Sequence, residues 1–542
     1  MINCLIETRR TYMFIKYMNI KGLKKFKDFS INFNEHINVL IGENEAGKST
    51  ILEAIDIVLN QKIFNSTNNF EKYFNNENVS KYQQSPSIDT LPKIEIELCF
   101  SDEENLDFEY FNGLHSSFTP VPKSGIKFTY QFDENYRELL ENMDEESYYE
   151  TFIPTDYYMA EWVTFAGRKY INKKSPIKNI LIDNSIRKNN LFDSYSKRIF
   201  NNNIDVADRQ NLSYQFRKNI QNFVNENTEQ LNIKDYNFGI DENKTVLENL
   251  LDLKSDGVSI QNKGKGKENL IKTEIALEVE SDLILLEEPE NHLSYINTRK
   301  LLQEIQNMCG AAQMIITTHN PLIVSRLDLR NTIWINNGKC HSLNSIPDET
   351  ADYFMKTDNM QLLNFILAQK VILVEGNSEY ILLPQLVKNS LTYTLEEKNI
   401  EILSGGGITY KHYIELTKVV KNTLLVITDN DGDLETIESI QKLNEEFNIS
   451  GTNVHIKCSS SVKEFTFEVC LFNKNESNLR TISEIKPRTK AEYREVPYDK
   501  NLAYMLKNKT EAALRISEEI LYKEIVVLPE YIQEGIKWLV QR

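Results

Sequence analysis

The sequence predicts an α/β protein built from two successive parallel-sheet units. Three observations carry this. Short apolar runs of the kind that form buried parallel strands recur at 37–41, 283–286, 314–317, 370–374 and 424–428. Stretches long enough for helices alternate with them, which is the βα pattern of a parallel sheet. Each of these runs is followed by chemistry-bearing residues, either a glycine loop, paired carboxylates or a histidine, as expected where ligands gather at the carboxyl ends of strands.

Taken in order, residues 14–42 read as strands and 48–59 as a helix. Residues 93–100 alternate apolar and polar positions, a strand signature. Residues 190–235 are polar and helical without a clear apolar stripe, and 351–365 read as a linker. The expected organisation is a first domain over 1–350, with an insertion at about 165–240 that could carry dimerisation helices, the linker, and a second domain over 366–542.

Composition agrees with a globular protein. Of 542 residues, 41 % are hydrophobic and 26 % charged, which excludes a collagen-like or mostly disordered chain. The length calls for two to four domains. No apolar run is long enough to span a bilayer, and the first twelve residues lack the apolar core of a secretion signal, so no membrane association and a cytoplasmic location are expected. Six scattered cysteines form no CxxC pair, against a zinc site or a disulfide framework. The net charge of −17 argues against bulk electrostatic coating of nucleic acid. The charge is uneven, however. Residues 161–220 carry 12 basic against 5 acidic side chains, and 471–510 carry 9 against 5.

The segment Gly42-Glu-Asn44-Glu-Ala-Gly47-Lys48-Ser49 fits GxxxxGK[ST] between an apolar strand and a helix. Its glycines let the backbone wrap a phosphate, and the helix N-terminus adds an anion site. Lys48 is placed to reach the β- and γ-phosphates and Ser49 to ligate Mg²⁺, with Gly42, Asn44, Gly47 and Thr50 completing the nucleotide loop. Further on, Leu283-Ile-Leu-Leu-Glu287-Glu288 ends an apolar strand in two acids, one suited to the metal and one to the attacking water. Met314-Ile-Ile-Thr-Thr-His319 ends another strand in a histidine able to contact a γ-phosphate.

This order resembles the ABC-type, SMC/RecF-like P-loop ATPase heads. The resemblance implies Glu288 as catalytic base, His319 as switch histidine and Glu287 as a metal ligand, although the family usually has Asp there. It also implies a signature segment near Gly264 and Gly266, where no LSGGQ is present, and a homodimer or higher homo-oligomer in which the signature of one protomer caps ATP on the other.

The last third carries separate chemistry. Val371-Ile-Leu-Val-Glu375-Gly-Asn-Ser-Glu379 is a buried strand, an acid, a turn and a helix with a second acid. Leu424-Leu-Val-Ile-Thr-Asp429-Asn-Asp431-Gly-Asp433 ends a strand in three alternating carboxylates. Acids gathered in this way repel unless a cation neutralises them, and oxygen-only ligands favour Mg²⁺ or Mn²⁺. An EF-hand is excluded, because Leu434 and Ile440 stand where its Gly and Glu must be.

The pair of segments resembles the Toprim fold, and an ABC-type ATPase followed by a C-terminal Toprim α/β domain resembles the OLD (overcoming lysogenization defect) nucleases, a family that includes the Gabija nuclease subunit. The resemblance implies Glu375 as a catalytic residue and metal ligand, with Glu379, Asp429, Asp431, Asp433 and Glu468 as further ligands. It implies Lys509 as the residue that stabilises charge on the scissile phosphate. The function it implies is an ATP-regulated, divalent-metal-dependent DNA endonuclease or nickase in anti-phage defence, with DNA as partner and a superfamily-1 helicase or a retron reverse transcriptase with its DNA as further partners. The alternative is an ATP-gated DNA clamp or scaffold of repair whose Toprim domain does not cut.

Overall fold

The computed structural model describes residues 13–61, 70–101, 108–116, 120–141, 153–183, 200, 204–227, 232–233, 236–237, 246–278, 281–308, 312–357, 361–405, 410–481, 499–523 and 526–542. Its contacts divide the chain into two compact units, Met1–Leu327 with Asn331–Ser342, and Asp328–Arg330 with Leu343–Arg542.

In the first unit, β1 (Ile15–Leu23) and β2 (Phe26–Asn32) form a hairpin, and β3 (Ile37–Ile41) leads into the glycine loop. Then come β4 (Ile94–Phe100), β5 (Asn112–Gly113), β6 (Lys123–Phe132), β7 (Tyr158–Thr164) and β8 (Asn179–Asp183). Two short hairpins follow, β9 (Asn232–Ile233) with β10 (Tyr236–Asn237) and β11 (Lys254–Ser255) with β12 (Val258–Ser259). The unit closes with β13 (Leu283–Glu287), β14 (Gln313–Thr317), β15 (Thr332–Asn336) and β16 (Lys339–Ser342).

One sheet has the order β16-β15-β3-β14-β13-β8, parallel throughout except for β16. The other, built from β1, β2, β4, β5, β6 and β7, is antiparallel. Helix Lys48–Asn60 packs between them, against β4 and β6 on one side and β8, β13 and β14 on the other. One apolar core runs through both sheets and this helix, including Ile20, Ile96, Phe128, Ile51, Ile55, Leu285 and Ile315. The last carbonyls of the helix, which have no partner inside it, accept from Trp162 Nε1 (to Ile57 O, 3.0 Å) and Tyr170 OH (to Leu59 O, 2.8 Å).

Strand β4 is buried along its whole length despite its alternating acids. Glu95 and Glu97 are buried, and Lys127 on the neighbouring β6 lies 3.5 and 3.6 Å from their carboxylates. Within the insertion, helix Val206–Glu226 buries none of its residues and exposes Val206, Leu212, Tyr214 and Phe223.

The second unit holds β17 (Lys370–Val374), β18 (Ile400–Ser404), β19 (Thr423–Ile427) and β20 (Val454–Lys457) in one parallel sheet of order β18-β17-β19-β20. The chain runs from β17 out to β18 and then back past β17 to β19. The strand order therefore reverses between β17 and β19, the place where open α/β sheets bind ligands. Helix Asn377–Leu391 packs against helix Lys509–Lys523, and helix Glu530–Gln541 lies on β19 and β20. That last contact needs Gly535, since a Cβ there would stand 2.9 Å from Leu425 Cδ1.

The stretch read as a linker, 351–365, is corrected by the structure. Helices Asp348–Thr357 and Leu362–Leu367 occupy most of it, and Ala351, Phe354, Leu362, Leu363 and Phe365 are buried. Phe354 and Phe365 both pack edge-on against Tyr413, at centroid distances of 5.3 and 5.0 Å. Their apolar side chains recur at helical spacing between polar ones, which suits a covering layer rather than a tether.

No helix among the described residues is long and apolar enough to cross a membrane. Among the described residues, Cys99, Cys340, Cys458 and Cys470 take part in no disulfide.

Candidate nucleotide and acidic sites

In the first unit, β3 delivers the chain into a loop whose shape depends on two glycines. Gly47 has φ +105°, and a Cβ on it would stand 2.4 Å from the Phe26 ring. A Cβ on Gly42 would stand 2.6 Å from Ile335 O. Asn44 is exposed at the loop tip, while Lys48 and Thr50 are buried in the first turn of the helix. Lys48 Nζ donates to Gly42 O and Glu43 O, both at 3.0 Å, so the loop curls around its ammonium. Burial lowers the Lys48 pKa, opposed by the charges of Glu288 and Glu287.

Glu287 ends β13 and accepts a hydrogen bond from the Ser49 hydroxyl. Burial first, then the charges of Asp183, Glu288 and Glu53, push it up to about 7. Asp183 lies opposite it in register on β8, a neighbour that motif spacing could not reveal. A buried carboxylate with three acidic neighbours and a Ser hydroxyl is a donor set that suits a divalent cation.

The next residue, Glu288, has φ +44° and its N–H donates to Thr317 O at 3.0 Å, which ties the end of β13 to the end of β14. Its Oε1 is 3.7 Å from His319 Nε2. His319 is lowered by burial and by Lys48. The structure therefore gathers Lys48, Ser49, Glu287, Glu288 and His319 at one end of one sheet. Helix Lys265–Glu278 docks on the loop after β13, where Gly266 lets the chain approach: a Cβ there would stand 2.3 Å from His292 O. Asn269 Nδ2 donates to Asn291 O at 2.9 Å across the same contact. Gly264 faces open space.

In the second unit, Glu375 follows β17 and Asp429 follows β19, one on each side of the reversal in strand order. Glu375 Oε2 accepts from Thr428 Oγ1 at 2.9 Å and from the Asp429 N–H at 3.1 Å. Asp429 Oδ1 accepts from Phe467 N–H at 2.8 Å, which brings in the first turn of helix Phe467–Lys474 and with it the buried Glu468. Glu379, also buried, stands in the first turn of helix Asn377–Leu391. Lys509, the first residue of its helix, places Nζ 3.1 Å from Glu468 Oε2 and 3.9 Å from Asp429 Oδ2.

The electrostatics match this crowding. Burial and then Glu375 raise Asp429 to about 7, with Lys509 opposing. Burial, then Glu468 and Asp429, raise Glu379 to about 7. Burial lowers Lys509, but the surrounding carboxylates outweigh it and the net shift is upward. A cavity of about 170 Å³ opens beside Glu375, bordered by Val374, Gly405, Tyr410, Tyr413 and Thr428. Gly406 and Gly407, the rest of that glycine turn, lie outside the described residues.

Two of the expected ligands stand apart from this cluster. Asp433 is exposed and caps helix Leu434–Ser450, its carboxylate accepting from Glu435 N–H at 3.1 Å and Thr436 Oγ1 at 3.0 Å. Asp431 is exposed in a left-handed turn with φ +51°. The strand ends at Ile427, so the three acids do not share one strand face. Asn430, unremarked in the sequence, anchors that turn from inside by donating to Ser459 O and Ser461 O at 2.9 and 3.0 Å. Among the described residues no three His, Cys, Asp or Glu side chains close around a single point as a metal cage does. The donors have the right chemistry for a divalent cation, but Lys509 supplies the positive charge between Asp429 and Glu468 in this arrangement.

The geometry defines a P-loop ATPase unit joined to an α/β unit with an acidic crevice. Comparison with known proteins places each. Residues 13–223 match the family described as AAA ATPase domain, and residues 269–325 match the AAA domain described as a putative AbiEii toxin of a type IV toxin–antitoxin system. Residues 366–431 match the TOPRIM domain of overcoming lysogenization defect protein-like proteins.

Among similar proteins, an ATP/GTP phosphatase of Helicobacter pylori is 25 % identical over 343 residues, covering 58 % of this chain and 87 % of the relative. The DNA replication and repair protein RecF of Bacillus cytotoxicus is 34 % identical over 59 residues, 11 % of this chain and 16 % of its own. Among solved structures, the C-terminal region of the Burkholderia pseudomallei OLD protein aligns at 19 % identity and TM-score 0.26, over 32 % of this chain and 98 % of that one. The chain thus carries an AAA ATPase domain followed by an OLD-like TOPRIM domain, as the motifs implied. It is an ATP-binding enzyme of nuclease-like architecture, with a domain type that uses divalent metal.

Proposed function

We propose that this protein is an ATP-regulated, divalent-metal-dependent DNA endonuclease or nickase of anti-phage defence. The observation that supports this most directly is the convergence of Glu375, Glu379, Asp429, Glu468 and Lys509 at the carboxyl end of one parallel sheet. Glu375, Glu379, Asp429 and Glu468 would hold the cation, Mg²⁺ or Mn²⁺, which when bound supplies an activated water and charge stabilisation at the phosphodiester. The chain's own part is orientation and charge. Thr428 and the Asp429 amide fix Glu375 at the edge of the cavity. Lys509 brings the positive charge that a scissile phosphate needs.

On the ATPase side, Lys48 and the glycine loop would hold the phosphates, Ser49 and Glu287 the Mg²⁺, Glu288 would orient water and His319 would sense the γ-phosphate. Closure of two heads around ATP would control access of DNA to the second unit. Helix Val206–Glu226, with Leu212 and Phe223 exposed, is the proposed contact of a homodimer or higher oligomer. The reading places the protein in the cytoplasm, beside a helicase or a retron reverse transcriptase.

A second reading draws on Lys509. Its ion pairs with Asp429 and Glu468 offset part of the cluster's negative charge, as would suit an ATP-gated DNA clamp that does not cut. Nicking of supercoiled plasmid in Mg²⁺ or Mn²⁺, across a titration of ATP, separates the two. Metal-dependent nicks support the nuclease, and DNA binding with intact plasmid under all conditions supports the clamp.

A further inference from the structure

On the reading proposed above, on which this inference rests, Glu288 and His319 act together in ATP turnover, yet the loops after β13 and β14 that carry them are not regular structure at that point. Their 3.7 Å spacing therefore has to be held by something else. Backbone bonds from Glu288 N–H to Thr317 O fix one side. On the other side Thr318 N–H donates to Leu40 O at 3.2 Å and Asn291 Nδ2 donates to Glu288 Oε2, and one further carboxylate adds two bonds. Glu290 Oε1 accepts from the Thr318 hydroxyl and, at 3.3 Å, from the His319 N–H. Thr318 is fully buried, and its Oγ1 also accepts from Asn320 N–H at 2.9 Å. The Glu290 carboxylate thus ties the Thr318 side chain and the His319 amide together.

We infer that Glu290 is a positioning residue for ATP hydrolysis, setting the distance and orientation of His319 relative to Glu288 by clamping Thr318 and the His319 amide. Carboxylate oxygen is required only as an acceptor, so glutamine, whose Oε1 accepts the same two bonds, should replace it, while alanine should not.

The test uses the full chain. Glu290→Ala should lower kcat for ATP by roughly 10- to 100-fold with KM changed less than about threefold, because misplacement of a reacting group acts on the chemical step. Glu290→Gln should retain at least about half of the wild-type kcat on the same argument. Thr318→Val, which removes one of the two bonds, should cause a smaller loss, and the double variant should be no worse than Glu290→Ala alone. With seven histidines in the chain, the His319 ring resonance can be assigned by comparison with His319→Gln. It should shift in Glu290→Ala and stay in place in Glu290→Gln, whatever the turnover. Unchanged kcat, equal damage by Gln and Ala, or an unmoved His319 resonance in Glu290→Ala would each overturn the assignment. If Glu290→Ala does not fold, Thr318→Val decides: full kcat and an unmoved resonance contradict the clamp, and a loss supports it.

Discussion

Lys509 Nζ lies 3.1 Å from Glu468 Oε2 and 3.9 Å from Asp429 Oδ2, so one ammonium holds two buried acids from separate elements. Replacing it with an isosteric apolar chain leaves those acids facing each other. Lys509→Met should reduce stability at neutral pH by about 1–2 kcal/mol, below the value for a fully buried pair because the lysine is 46 % exposed. Addition of Mg²⁺ or Mn²⁺ should restore most of the loss. Urea denaturation with and without metal measures both effects, and an unmoved midpoint would contradict the account.

A second expectation concerns pH. Asp429 and Glu379 sit at about 7 in the fold, above their ordinary 3.8 and 4.5. Between those limits the folded state binds more protons than the unfolded one, so their contribution to stability falls as pH rises from about 4 to 7. His455 acts in the opposite sense. Burial and Lys457 hold it at about 4, so it loses stability on acidification below its usual 6.5. Comparing Asp429→Asn with wild type cancels the histidine. The variant's stability relative to wild type should rise steadily between pH 5 and 7.5, and a constant difference across that range would count against the buried acidic cluster.

Gly47 supplies a third. Its φ of +105° and the Phe26 ring 2.4 Å from a Cβ leave no room for a side chain. Gly47→Ala should weaken ATP binding at least tenfold, as Lys48→Ala should, and should also cost about 1–3 kcal/mol of stability, which Lys48→Ala should not. Calorimetric titration with ATP and thermal unfolding separate the two variants. Wild-type affinity in either would contradict the nucleotide loop.

Much of both sites was legible because their residues are consecutive in the chain. The glycine loop, the strand ending at Glu287 and the strands ending at Glu375 and Asp429 are each local patterns, and local patterns survive folding. What escaped was set by chain turns and long-range pairing. Alternation of acids through Asp429, Asp431 and Asp433 cannot show that the strand has ended at Ile427 or that Asp433 caps the helix that follows. The helices over 348–367 were missed because their polar residues resemble those of a linker, while the partner that buries them, Tyr413, lies far along the chain. Glu290 and Asp183 gain their meaning only from strands that become neighbours in the sheet. The resemblance to OLD nucleases singled out Glu468 and Lys509, which no local spacing connects to Asp429.

The central claim is that the acidic crevice of the second unit cuts DNA. Its most direct test is conversion of supercoiled plasmid to nicked or linear forms by wild type and Glu375→Ala, in Mg²⁺ and in Mn²⁺, with ATP binding measured on the same preparations. The account predicts metal-dependent cleavage by wild type and none by Glu375→Ala, with equal ATP affinity in the two. Full cleavage by Glu375→Ala, or no cleavage by wild type under any metal and ATP condition, would contradict it.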